Sequence, residues 1–242
     1  MAADRIFEGL ETVQIAKVRV PIDPALMSET IIESLRQGRY EMGEVERLPE
    51  IVGPGERVVE IGAGIGFLTA LIARRTPAEL VVAIEANPDL IDYIEALHRL
   101  NGTRVVTRQA MVSPAPAAAD ASFHIHRDLW ASSQTQLKSK SLKRTVETPT
   151  LGLAELAATY APSLLIVDIE VLRAWMSAPP GPDCLASADF RPFAKVLIEL
   201  KPKRFPPADV RQVFELFFAQ GFSYSVTASR GPLVLFEAVA PG

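Results

Sequence analysis

An α/β fold, with a mostly parallel sheet covered by helices on both faces, is predicted by three observations. From Arg57 onward, short apolar runs alternate with amphipathic ones. The connections between them are short, as a parallel sheet with helical crossovers requires. A glycine-rich loop, Gly62-Ala63-Gly64-Ile65-Gly66, stands between the first apolar run and the first amphipathic one. Sheets of this kind hold their ligands at such loops.

The elements follow in order. Arg57–Gly62 is a β-branched run ended by glycine, and Phe67–Arg75 carries apolar residues at helical spacing. Glu79–Ala86 is the next strand. Asn87 then caps a helix with Pro88 at its first position, and Asn101-Gly102 stops it. Arg104–Val112 reads as a third strand, Ser163–Glu170 as a fourth and Ala194–Leu200 as a fifth. Ala208–Gly221 is an amphipathic helix, and the runs Phe222–Ser229 and Pro232–Ala240 form a closing hairpin. About seven strands in the main sheet result. Residues 1–53 precede this core as a cap segment with one helical stretch, Ser28–Gly38, capped by Ser28. The main domain runs over 54–242. Residues 113–161 interrupt it as an inserted hairpin built on Ser122–Asp128 and Thr145–Thr150, with a helix from Leu153 to Tyr160.

Composition narrows the class. The 242 residues are 48% hydrophobic and 22% charged, so one core needs no disulfide or structural metal. A single cysteine, Cys184, excludes an internal disulfide, and no run approaches the ~20 apolar residues of a membrane span. A cytoplasmic location and no membrane partner are expected. The net charge of −4 argues against a dedicated nucleic-acid binder. The basic run Lys138–Arg144 reads as a solvated loop.

The glycine loop carries the chemistry. Its spacing is Gly-x-Gly-x-Gly, without the sixth-position glycine of a dinucleotide site or the Lys-Ser of a phosphate-cradling loop. Glu60, two residues before the loop, repels a pyrophosphate and suits a cationic amino group. Glu85 ends the next strand, where an acid accepts hydrogen bonds from ribose hydroxyls. A ribose near Glu85 and an ammonium near Glu60 describe S-adenosylmethionine. Cofactor contacts are expected from Glu60, Gly62, Ala63, Gly64, Gly66, Phe67, Glu85, Ala86, Asn87, Gln109, Ala110 and Asp168.

At these residues the chain resembles the class I S-adenosylmethionine-dependent methyltransferases. More narrowly it resembles the FkbM family, on Gly38-Arg39-Tyr40-Glu41, Gly53-Pro54-Gly55, Glu85-Ala86-Asn87-Pro88, Asn101-Gly102, Ala110–Ser113, Ser132-Ser133, Asp168-Ile169-Glu170-Val171 and Ile198-Glu199. Val171 departs from that family's glycine. The resemblance implies a Rossmann-like seven-stranded sheet of order 3-2-1-4-5-7-6 with strand 7 antiparallel. It also implies that Tyr40 and Glu41 lie over the cofactor, and that the reaction is O-methylation of a small metabolite or sugar.

Asp168, Glu170 and Glu199 are the candidate catalytic residues. The first two share a strand face, and the three together raise a pKa toward that of a general base or hold a divalent metal. His124 and His126 share another strand face, His98 complements a helix C-terminus, and Trp130 and Trp175 are core or pocket-lining residues. The stretch Val58–Ala73 also resembles the RNA adenine dimethylases, but the fourth strand lacks their Pro-Pro-aromatic ending. RNA methylation therefore ranks below small-molecule O-methylation. A degenerate protein that only binds the cofactor is the other alternative.

Overall fold

The computed structural model describes residues 6–115, 120–126, 142–181, 183–201 and 205–239. Trp130, Ser132-Ser133 and Lys138–Ser141 lie outside the described residues.

The chain opens with a hairpin, β1 (Thr12–Ile15) and β2 (Val18–Pro21), followed by α1 (Glu29–Arg36) and α2 (Met42–Ile51). Then come β3 (Arg57–Ile61), α3 (Phe67–Arg75), β4 (Leu80–Glu85), α4 (Pro88–Asn101) and β5 (Val106–Gln109). A side arm follows: β6 (Met111–Ser113), β7 (Ala121–His126), β8 (Leu142–Thr148) and β9 (Thr150–Gly152). The chain returns through α5 (Leu153–Tyr160), β10 (Leu164–Val167), α6 (Ile169–Ser177), β11 (Lys195–Glu199), α7 (Pro207–Ala219), β12 (Phe222–Tyr224) and β13 (Leu233–Ala238).

Seven strands form the main sheet in the order β12-β13-β11-β10-β3-β4-β5. The five strands from β11 to β5 are parallel, and β13 runs antiparallel between β11 and β12. This is the expected order, 3-2-1-4-5-7-6 with strand 7 reversed, read from the other edge. Alternate residues of each strand feed two cores. Val58, Val81, Ile166 and Leu197 pack with the β1–β2 hairpin and α1 to α4. Val59, Val82, Val167 and Ile198 pack with α5, α6 and α7. Burial on both faces explains why these strands read as continuous apolar runs. Phe217 stacks on Phe236 at 4.1 Å, fixing α7 to β13.

The structure corrects several expectations. The strand expected over 104–112 breaks at Ala110. Its N–H bonds to Glu85, while Met111 turns away to Pro149 and starts β6, which pairs with β9. The strand expected over 163–170 ends at Val167, because Asp168 Oδ1 accepts the Glu170 N–H at 2.8 Å and caps α6. Ser28 occupies the N-cap of α1, but its hydroxyl makes no cap bond and is buried without a partner. Asn87 caps α4 as expected, through Asp89 N–H at 3.0 Å. No helix among the described residues is long and apolar enough to cross a membrane.

Asn101 ties the N-terminal hairpin to α4. Its side chain accepts from Arg19 N–H and donates to Arg19 C=O, both at 2.8 Å, and it is 4% exposed. Asn101→Ala leaves two backbone groups of β2 without partners. Denaturant unfolding is expected to show a loss of about 2 kcal/mol.

Candidate active site

The strand order reverses between β3 and β10, and ligands of open parallel sheets bind at the carboxyl ends beside such a reversal. A cavity of about 510 Å³ lies there. Its floor is the loop Gly62–Ile65, and the strap Arg39–Glu44, made of the α1–α2 connection and the first turn of α2, lines one side.

The three glycines answer three different needs. A Cβ on Gly62, at φ +84°, would come within 2.8 Å of Asp168 Cβ and 3.2 Å of Val171 Cγ2. A Cβ on Gly66 would come within 2.9 Å of Ile94. At Gly64 nothing lies within 4 Å, so the open space above it is the cavity itself. Glu85 braces this floor. One carboxylate oxygen accepts from Gly64 N–H at 2.8 Å, the other from Asn87 N–H at 2.7 Å.

Carboxyl groups dominate the walls. Glu60 is 5% exposed, and its Oε2 has no hydrogen-bond partner. Glu41 stands in the left-handed conformation at φ +51° and is hydrogen-bonded to Glu44. Burial pushes all three carboxyls above the usual range, Glu41 and Glu60 furthest; Glu44 repels Glu41, both repel Glu60, and Glu199 repels Glu44. Asp168 rises from 3.8 to about 7. Burial is the main cause, the Glu170 N–H opposes it, and Glu170, Glu85 and Glu199 reinforce it. Glu170 pairs with Arg173 at 3.1 Å and Glu199 with Lys201 at 2.7 Å. Arg39 and Lys201 bring positive charge to the same cavity. Leu90, Met111 and Phe123 supply apolar wall.

Most of the residues singled out in the sequence meet here: Tyr40, Glu41, Glu60, Gly62, Ala63, Gly64, Phe67, Glu85, Ala86, Asn87, Ala110, Asp168, Glu170 and Glu199 all line the cavity. Gln109 and Gly66 do not. Gln109 pairs with Glu85 in the sheet, and Gly66 lies behind the loop against α4. Asp168 and Glu170 do not share a strand face; they converge as the cap and first turn of α6. His98 does not act as a cation at its helix end, since burial pulls its pKa down to about 4. Trp175 is fully buried and donates to Val112 C=O at 3.1 Å. His124 pairs with Thr145 on the exposed hairpin. Glu44 escaped the sequence reading because only the packing of α2 on the sheet buries it. Among the described residues, no group of three or more His, Cys, Asp or Glu side chains is arranged to hold a metal ion.

The orphaned Glu60 oxygen calls for a hydrogen-bond donor. The exposed Gly64 backbone allows close approach, and the surrounding carboxylates disfavour a pyrophosphate. These features fit S-adenosylmethionine.

Residues 33–113 match the TRM5/TYW2 methyltransferase domain. That stretch holds the end of α1, the strap, the glycine loop, Glu85 and α4. No curated protein matches the chain. Similar solved structures include M. jannaschii TYW2 in complex with AdoMet, at 15% identity over 96% of this chain and 88% of that one, TM-score 0.47. Trm5b from Pyrococcus abyssi is 16% identical over 95% of this chain and 55% of that one, TM-score 0.47. Magnesium protoporphyrin IX methyltransferase from Synechocystis PCC 6803 with bound SAM is 14% identical over 98% and 90%, TM-score 0.47.

The family match corrects two expectations. The narrower resemblance to the FkbM family is corrected: the family model that matches, over residues 33–113, is the TRM5/TYW2 methyltransferase domain, and the match takes in the strap, the loop and the acidic strand end. The expectation that no nucleic acid is a partner does not survive this match. The match to a methyltransferase domain bears out S-adenosylmethionine as the cofactor expected from the sequence.

Two predictions follow from the floor and the acids. Gly62→Ala, which adds a clash to the strain of a positive φ, is expected to lower the unfolding temperature more than Gly64→Ala, which adds only the strain at φ +55°, while Gly64→Ala weakens S-adenosylhomocysteine binding in calorimetry. Asp168→Asn keeps a capping oxygen but cannot ionise. A carboxyl with a raised folded pKa contributes stability that is present below pH 3.8 and lost as pH rises through about 7. The free variant should therefore match the wild type at pH 4 and unfold at a higher temperature than it at pH 8.

Proposed function

We propose that this chain transfers the methyl group of S-adenosylmethionine to an RNA acceptor of the tRNA class. The match of residues 33–113 to the TRM5/TYW2 methyltransferase domain carries the reading. The charge layout supports it. The cavity walls are acidic, while Arg39 and Lys201 line the same cavity and are exposed, and Arg173, paired with the wall residue Glu170, is half-buried beside it. Such cations can meet phosphates while the carboxylates meet the N–H edges of a base.

When bound, the cofactor supplies an electrophilic methyl group on a cationic sulfur. The chain does the rest. Glu60 would accept hydrogen bonds from the cofactor's ammonium, and the free lone pairs of Glu85 would accept from its ribose hydroxyls. Leu90, Met111 and Phe123 would offer its adenine an apolar wall. Asp168, poised near neutrality, takes the proton that the acceptor atom loses. Glu41 and Glu44 hold the acceptor against it. The strap excludes water and fixes the line of approach, which can contribute several kcal/mol by orientation alone.

The test is label transfer from methyl-tritiated S-adenosylmethionine to unfractionated tRNA, with a panel of hydroxylated metabolites and sugars in parallel. Ribonuclease-sensitive label is expected. Label entering only the small molecules would overturn the RNA acceptor. Arg39→Ala combined with Lys201→Ala should weaken tRNA binding and flatten its salt dependence, leaving S-adenosylhomocysteine affinity within about twofold.

A further inference from the structure

The glycine loop is supported from behind by a buried histidine that plays no direct part in the chemistry above. His98, in the last turn of α4, is 4% exposed. Its Nε2 lies 3.1 Å from Thr69 Oγ1, and Thr69 Oγ1 lies 3.1 Å from the Gly66 carbonyl. The ring also reaches the Gly66 backbone. Thr69 itself is fully buried on the first turn of α3.

Counting hydrogens assigns the tautomer. The threonine hydroxyl has one hydrogen and gives it to the Gly66 carbonyl, so the imidazole must donate at Nε2. Nδ1 is then the bare acceptor, and it is buried without a hydrogen-bond partner. Burial keeps the ring neutral at physiological pH, with a pKa near 4. Gly66 lies at φ +75°, and Ile94 and the His98 Nε2 occupy the space that a side chain there would need. The turn is thus pinned by one hydrogen-bonded relay and one packing contact, both from α4.

We propose that His98 is a positioning residue for the cofactor loop: its neutral, Nε2-protonated ring, acting through Thr69, holds the Gly66 carbonyl and so aims the Gly64 end of the loop at the cavity. The binding readout rests on the cofactor reading above; the tautomer does not. A residue that merely filled space would be replaceable by an apolar side chain of similar size. A positioning donor is not.

Calorimetry with S-adenosylhomocysteine separates the two. His98→Leu and Thr69→Val are each expected to weaken binding about tenfold, the size of one lost buried hydrogen bond. Because they act in one relay, the double variant should be no more than about tenfold weakened either. His98→Gln, which can present an amide N–H near the Nε2 position, should stay within about threefold of the wild type.

A second cavity of about 450 Å³, lined in part by His98, Arg99 and Thr107, opens beside the ring and offers a route for rescue. Added imidazole should restore binding to His98→Gly, and 1-methylimidazole, which has no N–H, should not. Nitrogen-15 shifts of the free wild-type ring are expected to show the proton on Nε2. A proton on Nδ1, wild-type affinity in His98→Leu, or equal rescue by both imidazoles would overturn the proposal. If the wild type binds no S-adenosylhomocysteine at all, the methyltransferase reading fails, and the tautomer measurement alone decides this one.

Discussion

Much of this structure depends on one electrostatic constraint: several carboxyl groups converge, largely out of water, on a floor made of glycine backbone. Glu41, Glu44, Glu60 and Asp168 each sit where burial disfavours the charged form and where neighbouring carboxylates, Glu199 beside Glu44 and Glu170, Glu85 and Glu199 beside Asp168, disfavour it further. Only part of this charge is met within the chain, by Lys201 on Glu199 and Arg173 on Glu170. The remainder must be met by protons or by a cationic guest. A sulfonium with an ammonium tail answers that need, and a pyrophosphate does not. The same constraint makes the empty site costly and the filled site favourable, so cofactor occupancy and folding stability are linked.

The constraint can be sustained because the scaffold around it is over-determined. Strands β3, β4, β10 and β11 are buried on both faces, so their carboxyl ends cannot drift apart. Glu85 shows how the rigidity reaches the loop. Its two oxygens bind backbone N–H groups on either side of the cleft, at Gly64 and Asn87, and these bonds partly offset the burial of its charge. From the other side α4 presses Ile94 and His98 against Gly66. The loop is held by hydrogen bonds at its front and by packing at its back, and Gly64 alone is left open.

Legibility in the sequence followed the range of the forces involved. The central strands were readable because burial on both faces leaves an unbroken β-branched run, and Asn87-Pro88 announced α4 because a cap is a local bond. Asp168 misled for the same reason. A single capping contact to Glu170 turned an apparent strand end into a helix start, which periodicity over so short a run does not distinguish. The β1–β2 hairpin went unseen since its turn places Ala16 and Lys17, residues without a turn signature, at positive φ. Glu44 and His98 owe their character to neighbours distant in sequence, and nothing local marks either. The FkbM resemblance rested on short motifs that mark the loop, the cap and the strand ends, all of which the fold itself demands.

Net charge shows where a whole-chain number stops being informative. A value of −4 argued against a nucleic-acid partner, but a polyanion responds to the local field and not to the sum. Seven of the acids line the cavity, and burial holds five of them, Glu41, Glu44, Glu60, Glu85 and Asp168, toward the neutral form. With those groups neutral, the surface a phosphate chain would meet is less acidic than the net charge implies, and Arg39 and Lys201 line the same cavity. An acid-lined interior beneath a cation-bearing rim is the layout expected of a site that draws in a base by its N–H edge while the backbone stays outside. In such a molecule acidic composition and RNA recognition are compatible, because the two kinds of charge address different parts of the same substrate.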